Sequence, residues 1–93
     1  MTFAQVHNYH EKAIFRRVTD RARHYPDLVN RPELLADVAC VALNRLPPQY
    51  IRSAIDMAFY MDDAEFVRQR AAVKKAVEYA FNFVRSRIAL GSC

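Results

Sequence analysis

A single glycine, Gly91, stands among 93 residues, and that scarcity rules out a Gly-rich backbone loop wrapped round a phosphate. No Gly-x-Ser-x-Gly elbow and no His-Glu-x-x-His pair of zinc ligands occurs either. The expectation is a protein that is not an enzyme and carries no cofactor. Two cysteines, Cys40 within an apolar stretch and Cys93 at the last position, do not make a disulfide framework. The longest uninterrupted apolar run, Val38 to Leu43, is far too short to cross a bilayer, and the first residues lack the basic-then-apolar layout of a signal peptide. A reducing cytoplasm, with no membrane partner, is the setting these features suggest.

Apolar side chains, by contrast, are plentiful: 53% hydrophobic residues against 26% charged describe one compact domain. A chain this short buries only about 60–65% of the surface its unfolded form exposes, so association is a ready way to enlarge its core. Fourteen Lys and Arg against ten Asp and Glu leave a formal charge of +4, which favours anionic partners without naming one. The cations are spread along the chain rather than packed into a recognition helix, so a reader of duplex DNA is not the expected function.

Phe3, Val6, Ala13, Ile14, Val18 and Ala22 recur at helical spacing and predict an amphipathic helix from about Phe3 to Arg23, with Lys12, Arg16, Thr19 and Arg23 on its other side. His7, His10 and Glu11 fall toward or beside the apolar side, where an ionised Glu11 needs a partner or water. The two histidines and Glu11 are the nearest approach to a metal site, and no second cluster completes it. Pro26 ends the helix. Asn30 as N-cap, Pro32 in the first turn and Glu33 as capping-box partner then predict the start of a second helix.

Leu34, Leu35, Val38, Val41, Ala42 and Leu43, with Asp37 the only charge, make this second helix read as buried on most sides, with Cys40 an apolar filler. Pro47 and Pro48 stop it by Leu46, because neither has a backbone donor and both push the preceding residue out of the helical region. The rigid elbow that results gathers Asn44, Arg45, Gln49, Tyr50 and Arg52. Ile51, Ile55, Ala58 and Phe59 predict a short third helix to about Tyr60, although alternation over Ile51 to Met61 also reads partly as strand. Asp62 or Asp63 caps a long fourth helix reaching about Ala89, with Gly91 as its stop.

One apolar row of that helix is Phe66, Val73, Val77, Phe81, Val84 and Ile88; a second is Ala72, Ala76, Tyr79, Phe83 and Leu90, while Lys74, Lys75, Glu78, Asn82 and Arg85 face away. A small monomer needs one stripe, and a second suits a symmetry mate. The expected fold is all-α, a single-domain bundle of about four helices over residues 1–93, in a two-fold homodimer.

The elbow and the first helix also supply a candidate ligand set: Arg16, Arg45 and Arg52 as cations, Tyr9, Tyr50 and Tyr60 as stacking rings, Asn44 and Asp56 as hydrogen-bonding ends, with Glu11 nearby. Guanidinium groups pair with phosphates and stack on purines, and a carboxylate such as Asp56 can accept from the N1–H and N2–H₂ edge of guanine. The same residues also read as purely structural. Asn44 and Arg45 can serve the end of the second helix, Tyr50 can plug the core, and Arg52 with Asp56 can be a surface pair.

The run from Asp37-Val38 through Leu43-Asn44-Arg45-Leu46-Pro47-Pro48 to Tyr50-Ile51-Arg52 and Asp56-Met57-Ala58-Phe59-Tyr60 resembles the ComFB family of small bacterial proteins, named for late competence development. Asn8-Tyr9-His10-Glu11 is a weaker second correspondence. The resemblance implies a non-catalytic receptor for a cyclic dinucleotide, chiefly cyclic di-GMP and in some members cyclic di-AMP, that signals through a downstream protein. Other members bind zinc through closely spaced cysteines before the signature helix, whereas Asn30 to Leu35 holds no thiol here, so that role is not carried over. The alternative is a dimeric protein-interaction module with no nucleotide ligand.

Overall fold

The structure, a computed structural model, describes residues 3–53, 55, 57 and 61–89. Phe3–Gln5 makes one 3-10 turn, His7–Asn8 a two-residue strand, β1, and His10–Ala22 the first helix, α1. The helix thus starts at His10 rather than near Phe3, and Asn8 is the reason. Its Oδ1 accepts from the His10 N–H at 3.2 Å, an Asx turn, and from the Gln49 N–H at 3.2 Å. The chain beside it is drawn across to the elbow. β1 pairs antiparallel with β2, Tyr50–Ile51, placing His7 opposite Ile51 and Asn8 opposite Tyr50, and the Tyr9 N–H donates to the Gln49 carbonyl at 2.6 Å. Backbone groups engaged in this way are not available to a helix.

Helix α2 spans Pro32–Asn44, with Pro32 in the first position, where a missing donor is harmless. The predicted capping box does not form. Arg31 is the N-cap, without a side-chain cap bond, and Glu33 faces Arg31 at 3.6 Å. Proline at the first position holds the residue before it out of the helical region, at φ −121° and ψ 84°, so the helix entry falls at Arg31 and not at Asn30. At the other end the Arg45 N–H reaches the Ala42 carbonyl at 3.1 Å and the Leu46 N–H the Leu43 carbonyl at 3.3 Å, tight turns that close the helix before Pro47.

Tyr50–Ile51 is strand, not the opening of a third helix. Ile55 and Met57 are helical, the Ile55 N–H donating to the Ser53 hydroxyl at 3.3 Å, and the rest of the predicted short helix lies outside the described residues. Helix α3, Asp63–Ala89, has the bounds its periodicity predicts, and Asp62 caps it by accepting from the Glu65 N–H at 2.8 Å. Gly91 and Cys93 lie outside the described residues.

The core sits where α3 crosses both other helices. Val73, Val77, Phe81 and Val84 meet Ile14 and Val18 of α1, Val38 and Ala42 of α2, and Leu28 from the connection. Fully burying a side chain such as Phe81 or Leu28 contributes about 1.5–3 kcal/mol. Tyr25 stacks flat on Phe81 with ring centroids 4.2 Å apart, and its hydroxyl donates to Glu78 at 3.0 Å. Glu78 also accepts from Arg21 Nε at 2.9 Å, so it ties the end of α1 to α3 instead of facing away.

The architecture is therefore mostly helical, with three helices and a two-stranded ribbon among the described residues. Helix α2 buries one face only, through Val38, Ala39 and Ala42. Ala36, Cys40 and Asn44, four residues apart, form its exposed row, so Cys40 is at the surface and not an interior filler.

Candidate functional site

Helical spacing puts Tyr9, Ala13, Arg16, Arg17 and Asp20 along one flank of α1, and Phe66, Gln69, Arg70, Val73 and Lys74 along a flank of α3. Between the two runs an open groove of about 670 Å³. Four cations, Arg16, Arg17, Arg70 and Lys74, against one carboxylate, Asp20, give its walls a formal charge of +3. The Tyr9 ring, Phe66 and Val73 supply the apolar surface. None of these charged groups is held in an ion pair among the described residues. Arg17 Nε is buried and has no hydrogen-bond partner among the described residues.

A smaller groove of about 300 Å³ adjoins this one and shares Tyr9, Ala13 and Arg16 with it; His7, Lys12 and Ile51 complete its lining. At the base of the larger groove is His10, only 4% exposed. Burial holds its pKa below the usual histidine value, while a hydrogen bond to the Pro47 carbonyl opposes that shift. His10 and Gln69 also line a third groove of about 430 Å³ against the elbow, with Leu46, Pro47, Pro48, Gln49, Glu65 and Arg68. The Glu65 carboxyl there is held below its ordinary value, chiefly by the hydrogen bond from Arg68.

The residues picked out from the sequence divide into separate groups. Tyr9 and Arg16 come together on the ridge between the first two grooves. Glu11 has a structural partner: its Oε2 accepts from the Asn8 N–H at 3.4 Å, so Asn8 and Glu11 close a capping pair across the start of α1. Asn44 is exposed at the end of α2, and the Arg45 guanidinium lies 3.9 Å from the Tyr79 ring centroid on the far flank of α3. Tyr50 is 68% exposed, because the strand pleat turns it away from the face that Ile51 gives to the smaller groove. Arg52, just past the strand, is exposed, and Asp56 and Tyr60 lie outside the described residues.

The histidines diverge as well. His7 Nδ1–H donates to the Gln5 carbonyl at 2.8 Å while His10 turns to Pro47, and among the described residues no three His, Cys, Asp or Glu side chains are grouped to hold a metal. Arg17, Asp20, Gln69, Arg70 and Lys74 line the groove without belonging to any motif in the sequence. Their mark in the sequence is recurrence at three and four residues beside the apolar stripes of two helices. Only the packing of α1 on α3 makes one surface of them.

Residues 7–87 match the family described as late competence development protein ComFB. No curated protein and no solved structure matches the chain. The matched span contains all three grooves, the Asn8–Glu11 pair and the elbow.

Proposed function

This chain belongs to the ComFB family, and from that premise we propose that it is a non-catalytic receptor for a cyclic dinucleotide, cyclic di-GMP first and cyclic di-AMP second. The observation that carries this reading is the groove between α1 and α3, where Arg16, Arg17, Arg70 and Lys74 surround an aromatic and apolar wall. Guanidinium groups bind phosphate oxygens in pairs, and an aromatic ring stacked on a base adds about 1–3 kcal/mol. His10 and Gln69 belong to this groove and to the elbow groove alike, so a ligand against them alters the surface around Pro47 and Pro48. A downstream protein reads that surface. The receptor works in the cytoplasm as a homodimer, joined through the exposed face of α2 and α3 around Tyr79 and Phe83.

Calorimetric titration with cyclic di-GMP and cyclic di-AMP tests it. Arg16→Ala and Arg70→Ala should each weaken binding by about tenfold or more, the loss of one charge-assisted contact. Arg45→Ala should change it by less than about threefold, because that guanidinium already lies on Tyr79. Absence of both heat and thermal protection at high micromolar ligand would retire the receptor reading. The second reading, a dimeric interaction module without a nucleotide, is favoured by the exposed rings of Tyr79 and Phe83 and expects a dimer that ignores both ligands.

A further inference from the structure

Tyr9, Ala13 and Arg16 form a ridge between two basins of one trench. Each basin sets an apolar wall against cations: Phe66 and Val73 with Arg17, Arg70 and Lys74 in the larger, Ile51 with Lys12 in the smaller. Arg16 borders both. A cyclic dinucleotide has a matching layout, two purines projecting from a ring that carries two phosphates, so one base can enter each basin with the Tyr9 ring between them.

The basins differ in one respect. The larger holds a carboxylate, Asp20, and an amide, Gln69; the smaller has neither among the described residues. Asp20 is exposed and has no ion-pair partner among the described residues, so its oxygens can serve as acceptors. Guanine presents adjacent N1–H and N2–H₂ donors to such a carboxylate, whereas adenine presents the N1 lone pair, which repels it. In the smaller basin stacking and positive charge are the available forces, and any purine meets them.

We propose that the trench reads one base of the two: the larger basin selects guanine through Asp20, and the smaller accepts either purine. This rests on the receptor reading above. It moves base selection from Asp56 to Asp20, and it makes the mixed dinucleotide 3′,3′-cyclic GMP-AMP a ligand in its own right.

The test is titration of the full chain with cyclic di-GMP, 3′,3′-cyclic GMP-AMP and cyclic di-AMP. The mixed ligand should bind within about threefold of cyclic di-GMP, since one of its two orientations is productive, and cyclic di-AMP about tenfold or more weaker. Asp20→Asn, a surface change checked for retained helicity by circular dichroism, should bring the three within about threefold of one another. Asp56→Asn should leave their order unchanged. The proposal is overturned if the mixed ligand is as weak as cyclic di-AMP, if the wild-type chain binds all three equally, or if the order survives Asp20→Asn. If the wild-type chain binds none of them, the receptor reading falls and this one with it; in the three former cases the receptor stands and only the one-base reading is lost.

Discussion

His10 is 4% exposed where the groove between α1 and α3 meets the elbow groove, and it is fastened to the Pro47 carbonyl. A ring so placed loses solvation when it takes a proton, which is why its pKa lies below the ordinary 6.5. The unfolded chain carries no such penalty and binds the proton first as pH falls. Stability attached to His10 is therefore complete above about pH 6.5 and declines from there toward the lowered folded-state value. Thermal unfolding of the wild-type chain and of His10→Gln between pH 7.5 and pH 5.5 checks this. The wild-type midpoint should fall more steeply over that interval, and equal slopes would show that His10 is not the group responsible.

At the scale of elements, the decisive junction is the one between the start of α1 and the double-proline elbow. Asn8 Oδ1 serves two backbone donors from opposite sides of it, the N–H groups of His10 and Gln49, and β1 adds the pairing with β2. Asn8→Ala removes the shared acceptor without filling its place, and it should cost about 1–3 kcal/mol in urea unfolding. Asn8→Asp, which keeps an acceptor oxygen, should lose clearly less; an alanine variant within about 0.5 kcal/mol of wild type would mean that other groups hold the junction. The same junction marks the limit of what is legible in the chain. Helix α3 could be read to its bounds because its apolar period is sustained from Phe66 to Ile88, so no single contact can override it. Phe3 and Val6 continue the period of α1 just as well on paper, yet one asparagine bonding across the fold ends that helix at His10. The groove was half legible for a related reason. Tyr9 and Arg16 stand near recognisable motifs, whereas Arg17, Asp20, Arg70 and Lys74 are ordinary charged flank positions until α1 packs on α3.

At the scale of the whole molecule, α2 and α3 share a face that the core leaves bare. Tyr79 and Phe83 stay 41% and 39% exposed with their rings stacked 6.0 Å apart, Arg45 lies over the first ring, and Arg87 lies 5.8 Å from the second. Beside them a groove of about 410 Å³ runs past Leu34, Cys40, Val41 and Ile88, with Asp37 on its rim. The two-row reading of α3 holds only in part: Ala76 has gone into the core, and the outward half of that row is aromatic. A patch with rings, a carboxylate and guanidinium groups is suited to face its own copy across a two-fold axis, where Asp37 of one subunit can meet cations of the other. Such a contact must cover about 800 Å² on each side to be stable. Analytical ultracentrifugation at tens of micromolar should find a dimer, and Phe83→Glu, which sets a charge at the centre of the patch, should give a helical monomer. Tyr79 and Phe83 lie on the opposite flank of α3 from Arg70 and Lys74, so that monomer should still bind cyclic di-GMP within about threefold of wild type. A wild-type monomer, or a Phe83→Glu dimer, would place the interface elsewhere; a variant that dissociates and loses the ligand together would mean that the groove is complete only in the assembled pair.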